Sequence, residues 1–175
     1  MSVPYALTAL LCLQPAYGLQ LHKELVQRLP HRAKTNVGQI YSTLDRLQRA
    51  EQVALAGATG DGLPLYTSTD QGRATSSDWL AGLTLSRNSE WTEFMDVIAL
   101  SASIPGTGFS QLQSTLAKLE LQRAHGDLNA SRQSHLLAAV GHVYEDTAAA
   151  LASGELTPSD MNAQRPARGR RPKKA

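Results

Sequence analysis

The spacing of apolar residues over positions 36–53 predicts an amphipathic α-helix around which the rest of the chain is organised. The residues of its apolar stripe are Val37, Ile40, Tyr41, Leu44 and Leu47. The opposite face carries hydrogen-bonding and basic side chains, namely Gln39, Ser42, Thr43, Arg46 and Arg49. Asn36 precedes the helix and can cap it by accepting hydrogen bonds from its first free amides. Side chains of these types contact base edges and phosphates in protein–DNA complexes.

Two shorter helices are predicted before this one, which taken alone could also be an ordinary surface helix. The first stops at Pro15, because proline cannot continue a helix, and Gly18 supplies a permissive backbone for the turn. The second runs from Gly18 to Leu29 and stops at Pro30. Their apolar stripes contain Val3, Ala6, Leu7, Leu10 and Leu11, and then Leu21, Leu25, Val26 and Leu29. Three short helices, the last with a polar face, indicate a helix-turn-helix unit.

A β-hairpin is predicted directly after the third helix. Residues 53–56 read as one strand, residues 57–62 as a turn with three glycines, and residues 65–69 as the return strand. Three helices followed by a hairpin are typical of a winged helix-turn-helix, in which the hairpin is the wing. We therefore assign residues 1–84 to a winged helix-turn-helix DNA-binding domain.

The pattern after residue 84 predicts three further helices, so the fold class is mainly α. Their apolar residues are Trp91, Phe94, Met95 and Ile98, then Phe109, Leu112, Leu116 and Leu119, then Leu137, Val140, Tyr144, Thr147 and Leu151. A small helical appendage buries little within one chain, so we expect these stripes to pair with a second subunit in a homodimer. Residues 85–158 are thus assigned to a helical dimerisation and effector region.

The distribution of charge separates the end of the chain from its middle. Residues 85–160 carry four basic and nine acidic side chains, whereas residues 161–175 carry six basic and no acidic ones. Residues 159–175 are therefore predicted to be a disordered basic tail. The run containing Arg168, Arg170 and Arg171 resembles the core of a minor-groove AT-hook with one extra arginine. Binding of phosphates without sequence preference is the favoured interpretation of this tail, and minor-groove recognition is the alternative.

The sequence offers little support for catalysis, metal binding or a membrane location. Cys12, the one cysteine, lies in an apolar run and is expected to be a small buried hydrophobe. His135 and His142 are seven residues apart, too far to bind one ion from a straight helix. The apolar run at residues 6–13 is too short to span a bilayer. We expect a cytoplasmic protein that is not an enzyme and needs no cofactor.

Residues 3–81 resemble the PadR family of winged-helix transcriptional regulators. The matching segments are the leucine-rich first helix, residues 15–18, residues 38–47, residues 66–73 and the pair Trp79-Leu80, in the family's order and spacing. The resemblance implies a dimeric repressor that binds double-stranded DNA and is often released from its operator by a small molecule or a stress signal. The long C-terminal region is similar to the subfamily that responds to phenolic acids, which implies a small aromatic effector.

Three positions depart from the family pattern. Members usually have proline at the position of Ser42 and glycine at that of Glu51, where the glycine would end the helix in a left-handed turn. They also tend to have arginine before the wing proline, where this chain has Leu63 followed by Pro64. These changes leave the fold intact but predict weak phosphate contact by the wing, whose tip carries Asp61.

Specific residues are assigned to two sites. On the third helix we assign Gln39, Ser42 and Thr43 to base or near-base contacts and Arg46 to a base or a phosphate. Tyr41 is expected to direct its hydroxyl to a phosphate, and Asn36 and Arg49 complete this surface. Near the junction of the two regions, an effector pocket or the dimer core is predicted to involve Trp91, Phe94 and Met95. A winged-helix module that binds a protein instead of DNA is the alternative function.

Overall fold

The computed structural model describes residues 2–121 and 128–162, which form seven α-helices and a two-stranded antiparallel sheet. In chain order these are α1 (Val3–Leu13), α2 (Gly18–Arg28), a short 3-10 helix (Pro30–Arg32), α3 (Val37–Arg49), β1 (Val53–Ala58), β2 (Pro64–Ser68), α4 (Asp70–Leu80), α5 (Trp91–Ser103), α6 (Phe109–Leu121) and α7 (Leu128–Ser153). The predicted mainly α fold, with a hairpin after the third helix, is confirmed.

The core of the N-terminal unit is formed by the predicted apolar stripes. Leu7, Leu21, Leu25 and Ile40 are fully buried, together with Trp79 of α4. Trp79 stacks on Tyr5 of α1 with ring centroids 5.8 Å apart, which fixes α4 against α1. Helix α1 is buried on all sides over residues 6–11, whereas α3 buries a single stripe, so the polar face of α3 remains on the surface.

The wing is attached to the helices by an isolated β-bridge that the sequence pattern did not reveal. Ala16 and Tyr66 exchange two backbone hydrogen bonds of 3.0 and 2.9 Å, so the turn after α1 pairs with β2. Within the hairpin the register shifts between Leu55 and Gly57, which is a β-bulge. The wing is thus connected to α1 as well as to the end of α3.

The end of α3 shows the strain that the departure at position 51 predicts. Glu51 has a φ of 56°, in the left-handed region that disfavours residues with a β-carbon. Backbone N–H groups of Glu51 and Gln52 donate to the carbonyls of Gln48 and Leu47, so the turn closes as a glycine would close it. The helix therefore ends in a left-handed turn despite the glutamate.

The apolar stripe of α7 packs inside its own chain, and the prediction that it faces a second subunit is wrong. Leu137, Val140 and Tyr144 are at most 5% exposed, against α5 and α6. The ring of Tyr144 stacks on Phe109 at 4.6 Å, and its hydroxyl donates to the Phe109 carbonyl. Burial raises the pKa of the Tyr144 hydroxyl above 10. The three C-terminal helices therefore form a core of their own, which a stripe-by-stripe interpretation of the sequence could not detect.

The segment after α7 returns to the N-terminal unit. The Arg28 guanidinium donates to the carbonyls of Ser159 and Asp160 at 2.8 and 3.0 Å, and Met161 is buried. Residues 159–162, which the sequence analysis assigned to the tail, thus lie against α2. Residues 163–175 lie outside the described residues.

Candidate nucleic-acid interface

The start of α3 is fixed by a reciprocal pair of hydrogen bonds. The Asn36 side chain accepts from the backbone N–H of Gln39, and the Gln39 side chain accepts from the backbone N–H of Asn36, each at 2.9 Å. This capping box satisfies two amides that would otherwise lack partners. It uses one lone pair of the Gln39 side-chain oxygen, and the amide nitrogen of this exposed side chain can still donate to a base.

The centre of the exposed face of α3 is a row of four residues spaced by four, three and four positions. The row consists of Gly38, Ser42, Asp45 and Arg49, and all four are exposed. Gly38 has no side chain, which permits close approach to the helix backbone. Asp45, not considered in the sequence analysis, is an acceptor suited to the amino group of cytosine. The predicted assignment of Ser42 and Arg49 to this surface agrees with their exposure.

Thr43 does not belong to the exposed face, contrary to the prediction. It is 5% exposed, and its hydroxyl donates to the Gln39 carbonyl at 2.8 Å. Thr43 lies three residues after Ile40 and four before Leu47, both buried, so it follows the apolar stripe. A polar residue type suggested a contact that the helix geometry rules out.

Arg46 is exposed and lies along its own helix. Its guanidinium donates to the Ser42 carbonyl at 3.3 Å and to the Thr43 hydroxyl at 3.1 Å. Among the ion pairs of residues 2–121 and 128–162, neither Arg46 nor Arg49 contacts an acidic side chain. Both guanidiniums therefore keep donors that a phosphate or a guanine can accept from.

Tyr41 is half-buried because its ring covers the first residue of α2. A β-carbon added to Gly18 would lie 2.6 Å from Cζ of Tyr41, closer than such atoms approach. Gly18 is therefore required for the contact between α2 and α3. This steric requirement explains the glycine better than the permissive turn that the sequence predicted. This contact fixes the ring and agrees with the prediction that the ring of Tyr41 packs inward. The contact of its hydroxyl with a phosphate stays a prediction.

Tyr66 in the wing lies behind this face. Burial raises the pKa of its hydroxyl above 10, and the charges of Asp45 and Tyr41 raise it further. The hydroxyl therefore stays protonated at neutral pH. Asp45 on the exposed face of α3 thus affects the ionisation of Tyr66 in the wing.

Two lysines missed in the sequence analysis extend the cationic surface. Lys34 is exposed in the turn between the 3-10 helix and α3, and Lys23 is exposed on α2. The His22 ring contacts the Thr35 carbonyl at 2.7 Å and so fixes the turn that carries Lys34. A lysine immediately before a helix start is suited to a phosphate that approaches the helix N-terminus. Its position two residues before the predicted cap Asn36 could have identified it.

The tip of the wing is closed by hydrogen bonds of Thr59. Its hydroxyl donates to the Asp61 carboxylate and accepts from the backbone N–H of Leu63. Residues 50–72 contain neither lysine nor arginine. The wing thus has an ordered tip without a cation, which agrees with the predicted weakness of its phosphate contact.

A buried carboxylate of α5 holds the turn before α3. Asp96 is fully buried, and the Arg32 guanidinium donates to both of its oxygens at 2.5–3.1 Å. The His31 ring contacts the same carboxylate at 2.6 Å, and the Ser2 hydroxyl donates to it. One acidic side chain of the helical region therefore fixes both the turn that leads into α3 and the start of α1.

A cleft of about 580 Å³ lies between α2, α5, α7 and residues 156–162. Met95 lines it, together with Ile98, Val143 and His31. The other two residues predicted for an effector pocket lie elsewhere, since Phe94 is fully buried in the core and Trp91 is 41% exposed at the start of α5. Of the three, Met95 lines this cleft and the other two do not, because the helical turn directs them to other faces of α5.

The remaining predicted residues divide as follows. Cys12 is exposed, so the expectation that it is buried is wrong. It lies one residue beyond the buried residues 6–11 of α1 and contacts Thr8 and Ser76. His135 and His142 are exposed. Across the part of the chain that the structure describes, no cluster of side chains suits a metal ion and no helix is long and apolar enough to cross a membrane. Arg168, Arg170 and Arg171 lie outside the described residues.

Comparison with known proteins gives a match to a family model and likenesses to solved structures. Residues 7–78 match the family model described as "Transcriptional regulator PadR-like family". The crystal structure of Bacillus subtilis PadR in complex with operator DNA is 19% identical in sequence, with a TM-score of 0.40 over 87% of this chain and 97% of that chain. The search of curated proteins finds no match. The matched residues contain α2, α3 and the wing, which carry the candidate interface.

Proposed function

Because residues 7–78 belong to the transcriptional regulator PadR-like family, we propose that this protein regulates transcription by binding double-stranded DNA through α3. The observation that carries the proposal is the exposed row Gly38, Ser42, Asp45 and Arg49, with Arg46 on its flank. This surface combines a close-approach backbone, donors, an acceptor and two cations that lack acidic partners among the described residues. Those are the groups that read base edges in the major groove.

The contacts divide into two kinds. Ser42, Asp45 and Gln39 are placed to read bases, whereas Lys34 and Tyr41 flank the helix start, where a phosphate would lie. Arg46 and Arg49 can contact either a base or a phosphate, depending on whether a base edge or the DNA backbone faces them. The basic side chains of residues 163–175 add sequence-neutral attraction to the phosphates.

We propose further that the protein is a dimeric repressor that binds a pseudo-palindromic operator. One α3 reads only a few base pairs, and two-fold pairing doubles the site. Since the α7 stripe is buried inside its own chain, the subunit contact is assigned to large apolar residues that remain exposed. Three of these are Leu83, Trp91 and Leu121, which are 65%, 41% and 82% exposed. Light scattering should give twice the chain mass, and Trp91→Asp should lower it without loss of helicity.

Release from DNA by a small molecule is assigned to the cleft that Met95 lines. His31 borders this cleft and also contacts the buried Asp96 carboxylate, which holds Arg32 in the turn before α3. A molecule that displaces the His31 ring would therefore act on the turn that orients the reading helix. Apolar walls and a rim of polar groups suit a small, partly aromatic effector.

The experiment that tests DNA binding is footprinting on the DNA upstream of the protein's own reading frame. The wild type is compared with a Ser42→Ala/Arg49→Ala variant. A matched control, Ser77→Ala/Arg73→Ala, removes the same two residue types from exposed positions of α4. We expect the α3 variant to lose protection by at least about tenfold in concentration and the control to match the wild type.

The alternative is a winged-helix module that binds another protein, which the cation-free wing favours. Equal protection by the wild type and the α3 variant would remove α3 from DNA recognition. Absence of a footprint for the wild type, with the chain folded, would favour the alternative.

A further inference from the structure

The cleft lined by Met95 has apolar walls and a polar side formed mainly by α2 and the segment after α7. Its apolar residues include Met95, Ile98, Ala99, Val143 and Leu156. The residues that can carry charge in its lining are Glu24, Arg28, His31 and Asp160. Its volume of about 580 Å³ suits a small organic ligand. The charge that such a ligand can carry depends on which of these groups still lacks a partner.

Arg28 is the one arginine or lysine among the described residues that line the cleft, and its donors are already used. A guanidinium has five N–H donors. That of Arg28 contacts five oxygens within 3.3 Å: one of the Glu24 carboxylate, the carbonyl and hydroxyl of Ser103, and the carbonyls of Ser159 and Asp160. Its N–H groups are therefore occupied within the chain, and Glu24 offsets its charge at 3.1 Å.

The carboxylates of the lining are either engaged or open to solvent. Glu24 accepts from Arg28 with one oxygen and from the backbone N–H of Asn162 with the other, the latter at 2.8 Å. Its side chain is only 5% exposed, so this arrangement is closed to water as well. Asp160 is exposed, and solvent screens its charge. The cleft thus offers a ligand no buried charge of either sign that still needs a partner.

Hydroxyl groups of the walls are used by their own helices. Thr147 donates to the Val143 carbonyl at 2.7 Å, and Ser103 donates to the Leu100 carbonyl at 3.3 Å. The His31 ring contacts Asp96 through Nε2 at 2.6 Å, which leaves its other ring nitrogen for a hydrogen bond with a neutral group such as a hydroxyl. The polar requirements of the walls are therefore small.

From these contacts we infer that the ligand of the cleft is an uncharged, largely apolar molecule; this rests on the proposed role of the cleft as an effector site. Burial of an ionised carboxylate without a counter-charge is far more costly than burial of a hydroxyl, whereas an apolar body is stabilised by the area that it buries. A phenolic acid, the class that the sequence resemblance suggests, would leave its carboxylate unpaired here. An ammonium group meets the same obstacle, because Arg28 already offsets the charge of Glu24.

The test is thermal unfolding of the full-length protein with three probes that share a naphthalene body and differ in charge. These are naphthalenemethanol, naphthoate and naphthylmethylammonium, each measured at neutral pH and equal ionic strength. Naphthalenemethanol at ten times its Kd should raise Tm by roughly 3–5 °C for a chain of this size. The two charged probes at the same concentration should leave Tm unchanged.

Four variants show whether the cleft is responsible for the shift. Ala99→Phe on α5 and Val143→Phe on α7 each place a ring in the cleft and should remove the shift, so either one serves if the other is unstable. Ala149→Phe adds the same ring at an exposed position of α7 outside the lining and should keep the shift. Thr147→Lys supplies an ammonium group from the wall, so this variant should be stabilised by naphthoate.

The outcomes separate the ligand class from the site. Stabilisation of the wild type by naphthoate or naphthylmethylammonium, equal to that by naphthalenemethanol, would overturn the uncharged class and keep the cleft as a site. Stabilisation by none of the probes, or a shift that both variants with a ring in the cleft retain, would overturn the inference and the assignment of the cleft. Stabilisation by naphthalenemethanol alone that leaves the DNA footprint unchanged would support the ligand class and contradict the proposed release from DNA. Binding of DNA through α3 is tested by the footprint without any probe.

Discussion

The two halves of the helix-turn-helix use their arginines in opposite ways. In the first half, Arg28 and Arg32 are engaged by the rest of the chain, through Glu24, Asp96 and the carbonyls of residues 159–160. In the second half, Arg46 and Arg49 are exposed and, within the described ranges, contact no acidic side chain. Arginine therefore stabilises the fold in the first half, whereas in the second half it is available to bind a polyanion.

This comparison shows why counting cations is a poor guide to a DNA-binding surface. Buried arginines that contact carboxylates add no net positive potential, because each charge is offset at short distance. Exposed ones are screened by solvent yet remain free to replace counterions on a phosphate backbone. The tertiary neighbours of each guanidinium decide which role it has.

The largest effect on stability is expected from a substitution that disrupts the buried ion pairs of the first half. Asp96→Asn removes the charge that Arg32 and His31 contact and leaves a largely buried guanidinium without a full partner. Loss of one member of a buried pair costs about 3–5 kcal/mol, which urea unfolding should detect. Asp70→Asn, in the exposed pair with Arg73, is the matched control and should leave stability unchanged. Similar values for the two variants would contradict the distinction between the halves.

Substitutions in the second half, on the exposed face of α3, should change the affinity for DNA and leave the stability of the fold unchanged. Arg46→Ala is expected to weaken binding to a footprinted operator by about 1–3 kcal/mol if the guanidinium reads a guanine. The urea midpoint should stay at the wild-type value, because the side chain is exposed. Equal losses on operator and random DNA would instead indicate a phosphate contact, and no loss on either would remove Arg46 from the interface.

The contact between the two halves can be tested at Gly18. Gly18→Ala places a methyl group against the Tyr41 ring and should cost about 1–3 kcal/mol in stability through overpacking. Adding Tyr41→Ser to the same chain removes the obstruction, so the double variant should cost less than the sum of the single changes. Additive costs would show that the ring does not rest on this residue.

The smallest expected effect concerns the end of α3. Glu51→Gly relieves the left-handed backbone at φ 56° and should stabilise the protein by about 0.5–1 kcal/mol, after the greater freedom of glycine in the unfolded chain is subtracted. Glu51→Ala keeps the strain and should bring no gain. The expected order in urea midpoint is glycine highest, with glutamate and alanine close together.

Much of the fold was determined by the sequence alone. The 3.6-residue spacing of leucines placed the helices, prolines and glycines marked their ends, and alternation around a glycine-rich turn placed the wing. These signals are local, since each depends on residues within one or two turns of one another. Asn36, Ser42, Arg46 and Arg49 could be assigned to an exposed surface for the same reason.

Only the tertiary structure decided what the helices pack against. Periodicity shows that α7 has an apolar face, but it cannot show whether Leu137 meets α5 of its own chain or another subunit. It could not pair Asp96 with Arg32, because 64 residues separate them and the fold alone brings them into contact.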